Sequence, residues 1–271
     1  MMAGTPPTMH GRTAIISGSS TGIGAATARE LSSRGANIVL NYPFPGNEAE
    51  CNEVGAQLKT PWIAVCADLS TVDGPQTLVD AAVARFGHID ILVNNAGTVT
   101  RGATWEVDAV KWDQAMALNV RGVFLLTKAV LPRLTPYKPS SPPAFAGVKG
   151  GSRIICIGSG AGRQPQDDLL AYSAGKGAIH SLINHWAKEL PPKYGCTVNG
   201  VAPGPVKTDN LRREYGDRWD EACASYASVT PCEGAMAEED DIAWTVAYLA
   251  EDRSKWVNGE YINVNGGLII A

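Results

Sequence analysis

The chain has 271 residues, of which 45% are hydrophobic and 18% charged, so it can bury a sizeable core and is not globally disordered. That length suits one large α/β domain or two small ones. A formal net charge of -4 gives no electrostatic case for nucleic acid or for an anionic membrane surface.

Residues 1–10 hold no apolar run long enough for a signal peptide, and no segment approaches a membrane span. Residues 13–17 form a short apolar run that leads into Gly18, Ser19, Ser20, Thr21, Gly22, Ile23 and Gly24. A helical pattern follows at once through Ala25, Ala28 and Leu31, with Gly35 as its stop. Strand, glycine-rich turn and helix in that order make a phosphate site. The glycines admit close backbone approach, and the helix N-terminus offers free N–H groups. Residues 36–41 are the second strand. Where NAD-selective enzymes place an acid for the adenosine ribose, the chain has Asn41, Tyr42 and Pro43.

A helix over about 47–58, a strand over 62–68 closed by Asp68, and a helix over 72–86 stopped by Gly87 come next. The fourth strand, 89–93, ends in Asn94, Asn95, Ala96 and Gly97. This unbroken alternation means a parallel sheet covered on both faces, with ligands at the carboxyl ends of its strands. Helical patterns over 107–117 and 120–134 meet at Asn119, where a buried amide either satisfies kinked backbone or reaches the site. Residues 135–151, rich in Pro, Ser and Gly, read as a surface loop too short for a domain boundary.

The fifth strand, 153–157, ends at Gly158 and Ser159, and the next helix carries Tyr172 and Lys176 four residues apart on one face. A serine at a strand mouth and this pair can meet at one point. An ammonium beside the phenol favours the phenolate, and lowering an ordinary pKa of about 10 by two to three units corresponds to about 3–4 kcal/mol. The sixth strand, 196–201, runs into Pro203, Gly204, Val206 and Thr208. Residues 209–235 have weak periodicity, which suits a mobile substrate lid. A helix over 240–250 and a strand over 260–264 complete a single domain, 1–271, without internal repeats.

The six cysteines (Cys51, Cys66, Cys156, Cys196, Cys223 and Cys232) lack metal-like spacing. Cys66, Cys156 and Cys196 sit in apolar runs, where a thiol is a small buried hydrophobe, and this points to a reducing compartment. A soluble, cytoplasmic protein is expected. His10, His88, His180 and His185 form no ligand cluster, so no metal is expected, and His180 and His185 read as structural or solvated.

Together these residues resemble the short-chain dehydrogenase/reductase family from about residue 12 to 267. The glycine motif is 17–24, with Ser17 where the family has threonine, and the N-N-A-G signature is 94–97. The resemblance implies an α/β, Rossmann-type doubly wound parallel sheet of about seven strands with helices on both faces. It also implies a catalytic tetrad of Asn119, Ser159, Tyr172 and Lys176. Tyr172 exchanges a proton with the substrate oxygen, Ser159 stabilises that oxygen, and Lys176 lowers the Tyr172 pKa and binds the nicotinamide ribose. Asn119 positions a water linking Lys176 to solvent. Adenine rests near Asp68 and Leu69, Asn95, Ala96 and Gly97 flank the cofactor, and Val206 and Thr208 hold the carboxamide. The Asn41–Tyr42 end resembles NADPH-dependent ketoreductases acting on polyketides and hydroxynaphthalenes. NADP(H) is therefore the expected cofactor, with NAD(H) possible, and the Ser19 hydroxyl, Asn41 and the Tyr42 N–H would meet the 2′-phosphate. The expected partner is a small carbonyl or alcohol, with a sugar or steroid as rival substrate and a non-catalytic NADP-binding sensor as the rival class. Arg163, Gln164, Gln166, Leu169 and Trp219 are candidate pocket residues. The family's pairing helices imply a homo-oligomer, a tetramer.

Overall fold

Strands rich in Val, Ile and Leu with no polar face must be covered on both sides, and parallel pairing through crossover helices achieves this. A computed structural model, describing residues 8–135, 151–164, 166–232 and 236–270, has that arrangement. The elements in chain order are β1 (Thr13–Ile16), α1 (Gly22–Ser33), β2 (Asn37–Tyr42), α2 (Glu48–Ala56), β3 (Trp62–Cys66), α3 (Gly74–Phe86) and β4 (Ile91–Asn94). They continue with α4 (Ala109–Met116), α5 (Val123–Val130), β5 (Ser152–Ile157), α6 (Leu170–Glu189), α7 (Pro191–Tyr194) and β6 (Cys196–Pro203). The last are α8 (Asp209–Tyr215), α9 (Trp219–Val229), α10 (Glu239–Ala250) and β7 (Tyr261–Val264). All seven strands are parallel, in the order β3-β2-β1-β4-β5-β6-β7.

Alternate residues of each strand feed one of two cores. Ile15, Leu92 and Ile154 face Leu78, Val79, Leu126, Ile179 and Ile183 of α3, α5 and α6. Ala14, Ile16, Ile91 and Ile155 face Ala28, Leu31, Ile242 and Val246 of α1 and α10. Two buried arginines, Arg12 and Arg153, lie at the amino ends of the central strands β1 and β5. Arg12 donates to Ala250 O (2.8 Å) and Gly151 O (2.9 Å), and Arg153 to Gly151 O. Desolvation, with Arg12 alongside, brings Arg153 down to about 10.

Four features depart from expectation. The two helices meeting at Asn119 form one continuous run, joined by a π-helical turn, Ala117–Gly122. That run, Ala109–Arg133, is long enough and, over part of its length, apolar enough to cross a membrane. Its Val123, Leu126 and Val130 are buried in the core of this fold. Cys66 is exposed, because β3 is the outermost strand, whereas Cys156 and Cys196 are buried. Much of the weakly periodic stretch is helical: α8 and α9 occupy 209–215 and 219–229. The expected loop at 135–151 lies, apart from its end residues, outside the described residues.

The π turn depends on Gly122, where a Cβ would lie 2.5 Å from the Leu69 carbonyl oxygen. Backbone cannot yield as a flexible side chain can, so Gly122→Ala should lower unfolding free energy by about 1–3 kcal/mol in urea titrations. Unchanged stability would mean that the helix run and the β3–α3 loop are not in close contact.

Candidate active site

The carboxyl ends of β1, β2, β4, β5 and β6 open into one cavity of about 700 Å³. Its first half is built by side chains that replace missing ladder bonds where β1 and β4 diverge. The Ser17 hydroxyl accepts from the Asn95 and Ala96 N–H groups, each at 2.9 Å. Asn95 Nδ2 donates to Ser17 O and Gly18 O, also at 2.9 Å. Serine suffices where the resemblance has threonine, because only the hydroxyl is used. Gly18, at φ +60°, needs its lack of a side chain: a Cβ would lie 2.9 Å from Ala96 Cα.

Beyond this turn α1 begins without a side-chain cap at Thr21 and without an acid in its first turn. Ser20, Thr21, Gly22 and Ile23 line the cavity there. The uncapped N–H groups and positive dipole end suit a diphosphate. Asp68, Leu69, Asn95, Ala96, Gly97, Pro203, Gly204, Val206 and Thr208 also line the wall. These residues fit an extended dinucleotide.

Three expected cofactor contacts lie elsewhere. Gly24 sits under the turn, where a Cβ would be 2.3 Å from Gly18 O. Ser19 is fully buried; its Oγ donates to Ile16 O and accepts from Asn41 N–H, both at 2.9 Å. Tyr42, whose backbone N–H was the expected contact, does not line the cavity, and its ring turns into the core formed with Cys51 and Val54. Asn41 does reach the wall, but its Oδ1 accepts from Gly18 N–H (3.0 Å) and its Nδ2 donates to Ala67 O (3.0 Å). Its amide therefore holds the turn. The mouth at this end is formed by Pro43, Phe44, Asn47 and Glu50, of which the sequence reading did not single out Asn47 and Glu50.

The second half holds the four residues that the resemblance assigns to a catalytic tetrad. Ser159, extended just past β5, accepts from Ala161 N–H through its Oγ (3.1 Å). Its hydroxyl also contacts the Tyr172 side chain at the cavity wall. Tyr172 and Lys176 rise from α6 beside it, and all three line the cavity. Lys176 Nζ donates to Ile157 O at 2.7 Å and lies 5.6 Å from the Tyr172 ring centroid. Asn119, in the π turn, stands behind Gly97. Its Oδ1 accepts from Thr98 N–H and its Nδ2 donates to Thr98 O, both at 2.9 Å. The amide thus ties the π turn to the loop backbone just past β4.

Burial governs the electrostatics. Desolvation lowers Lys176 to about 8, with the Cys156 sulfur as a small opposing influence. Tyr172 is raised by burial, against the pull of its contact with Ser159. This corrects the expectation of a lowered phenol: the ammonium bonds a carbonyl rather than the phenol oxygen, so desolvation wins.

Of the pocket candidates, Gln166 and Leu169 line the cavity. Arg163 instead lies over the Tyr261 ring and bonds His180, while Gln164 and Trp219 are not on the wall. Asn210, Leu211, Arg213, Glu214 and Tyr226 bring α8 and α9 over the site. Glu214 pairs with Arg101, which also packs 5.8 Å from the Tyr215 ring centroid. Among the described residues no cluster of His, Cys, Asp and Glu could hold a metal ion.

A family model described as enoyl-(acyl carrier protein) reductase matches residues 18–269. The chain is 34% identical over 267 residues to the short-chain dehydrogenase/reductase FrzI of Cladobotryum sp., covering 97% of this chain and 98% of that protein. It is also 34% identical to versicolorin reductase 1 of Dothistroma septosporum, covering 96% of each. A solved structure of a blue fluorescent protein from a metagenomic library, in complex with NADPH, superimposes with a TM-score of 0.83 at 30% identity. That match covers 97% of this chain and 100% of the other.

The depressed Lys176 has a stability consequence. Between about 8 and its ordinary 10.5, the unfolded chain binds more protons than the folded one, so stability rises with pH across that window. The penalty of burying the ammonium is fully present below it. Lys176→Met should therefore stabilise the cofactor-free protein by about 1–3 kcal/mol near pH 7, with the advantage shrinking toward about pH 10. Paired denaturant titrations would check this; a difference independent of pH would contradict it.

Proposed function

The chain belongs to the short-chain dehydrogenase/reductase family of oxidoreductases, and from that premise we propose that it reduces a ketone to a secondary alcohol, or runs the reverse, with NADP(H). The observation carrying this reading is the convergence of Ser159, Tyr172 and Lys176 on the cavity that the glycine turn opens. When bound, the cofactor supplies or accepts the hydride at the carbonyl carbon.

The chain's own residues manage the oxygen. Ser159 donates its hydroxyl proton as a hydrogen bond to the carbonyl oxygen, where negative charge develops. Tyr172, raised by burial, holds its proton at Oη until that oxygen needs it. Lys176, buried against Ile157 O, supplies positive charge next to the ring and a donor for the nicotinamide ribose. Asn119 acts by holding Thr98, and with it Gly97, against the Lys176 side.

Preference for NADPH rests on the absence of an acid at the end of β2 and on the NADPH complex of a structural relative. Glu50 at the mouth, with no cation among the described residues lining that end, makes the preference modest. The substrate is a mid-sized, partly apolar ketone of the polyketide kind. The apolar wall of Val99, Leu118, Leu169, Leu211 and Ile269 supports this, as does the similarity to a versicolorin reductase. A homotetramer is proposed as well, because the run Ala109–Arg133 exposes Val110, Trp112 and Phe124.

Loss of reduced-cofactor absorbance should be followed with α-tetralone, an anthraquinone, a steroid ketone and a ketose, each with NADPH and NADH. The aryl ketones should turn over with the higher kcat/KM for NADPH. Tyr172→Phe should lower kcat by about 10²–10⁴-fold with cofactor affinity nearly intact. Substantial turnover by that variant, or a higher kcat/KM with NADH, would contradict the respective assignment. Light scattering at micromolar protein should give a tetramer mass; a monomer would overturn the proposed assembly.

A further inference from the structure

β5 ends at Ile157, and the last ladder bond beyond it runs from Gly158 N–H to Val201 O at 2.7 Å. Ser159 therefore has no strand partner on which to fix its backbone. Its carbonyl accepts from Gly162 N–H at 3.2 Å, its N–H has no backbone partner, and one side-chain atom from a distant strand bonds both groups. Tyr261 Oη accepts from the Ser159 N–H at 2.8 Å and donates to the Ser159 carbonyl at 3.1 Å.

Tyr261 belongs to β7, the edge strand, two strands away from β5. Its ring crosses β6 at Gly200, its own register partner. A Cβ on Gly200 would lie 2.5 Å from Tyr261 Cδ2, and one on Gly158 would lie 1.9 Å from Oη. Two glycines, Gly200 within β6 and Gly158 just past β5, thus leave the space that the phenol fills. The ring is held from outside as well. His180, one helical turn past Lys176, packs 4.6 Å from it between centroids, and the Arg163 guanidinium lies 4.7 Å over it. Arg163 and His180 bond each other at 3.1 Å.

We propose that Tyr261, seated over Gly158 and Gly200, is a positioning residue that holds the Ser159 hydroxyl in its productive place. This rests on the assignment of Ser159 as the group that stabilises the substrate oxygen. Tyr261 touches neither substrate nor cofactor; it acts through the Ser159 backbone. Small displacements of a reacting group carry large rate penalties, so the effect belongs in kcat.

The test is a double-mutant cycle on α-tetralone reduction with NADPH. Tyr261→Phe keeps the ring in the glycine space and removes only the two hydrogen bonds. In the parent it should lower kcat about tenfold, with KM and the NADPH Kd within about twofold. In a Ser159→Ala background, where no hydroxyl remains to be placed, the same change should alter kcat less than about twofold. Gly158→Ala, which pushes a methyl onto Oη, should reproduce this dependence on Ser159, and it carries the cycle if Tyr261→Phe loses its cooperative melt. Equal losses in both backgrounds, or full kcat in Tyr261→Phe, would overturn the positioning role alone. Parent-like kcat in Ser159→Ala itself would overturn the role of Ser159, and this inference with it.

Discussion

The site depends on a shortage of backbone partners where β1 and β4 separate. Strand order reverses there, and buried N–H and C=O groups beyond the last ladder bonds still have to be satisfied. The chain meets this demand with three side chains. Ser17 takes two N–H groups from the end of β4, Asn95 returns two bonds to the end of β1, and Asn41 reaches in from β2 to the Gly18 N–H. The glycine turn is thereby held rigid before any ligand arrives, and the N-terminus of α1 opens onto a preformed wall. On the other side of the cavity the same problem recurs at the end of β5. There Tyr261 from a distant strand answers it.

How much of this could be read from residues depends on the range of the forces involved. The alternation of strands and helices, the glycine turn, the 94–97 segment and the Tyr172–Lys176 spacing are local, and the structure brings them together as expected. The direction of a side chain at a strand end is not local. Asn41 and Tyr42 sit on opposite faces, and which face is core depends on Cys51, Val54 and the register of β2 with β3. Ser19 likewise looks like a ligand group until Ile16 O and the Asn41 N–H claim its hydroxyl.

The helices α8 and α9 were hidden for another reason. Their faces cover a cavity rather than a core, so α8 buries no residue and α9 only Ala222, and the apolar period is correspondingly weak. Asn119 lies at the expected junction, but a π turn rather than a break joins the two helices there. Tyr261, Gly158 and Gly200 are far apart in sequence. Only the parallel register of β5, β6 and β7 reveals that two absent side chains make room for one ring.

Burial sets the resting state of the acid–base pair: a protonated phenol and a lysine drawn down to about 8. In the function proposed above, both groups face a charge that develops on a substrate oxygen inside the cavity. The most direct test of that account is to reduce α-tetralone with NADPH carrying deuterium at the transferred position, and to locate the label in the product. Deuterium on the carbinol carbon, with a primary isotope effect in single turnover, is the predicted result. Deuterium at any other carbon, or an unlabelled alcohol, would contradict hydride delivery to a carbonyl held by Ser159 and Tyr172.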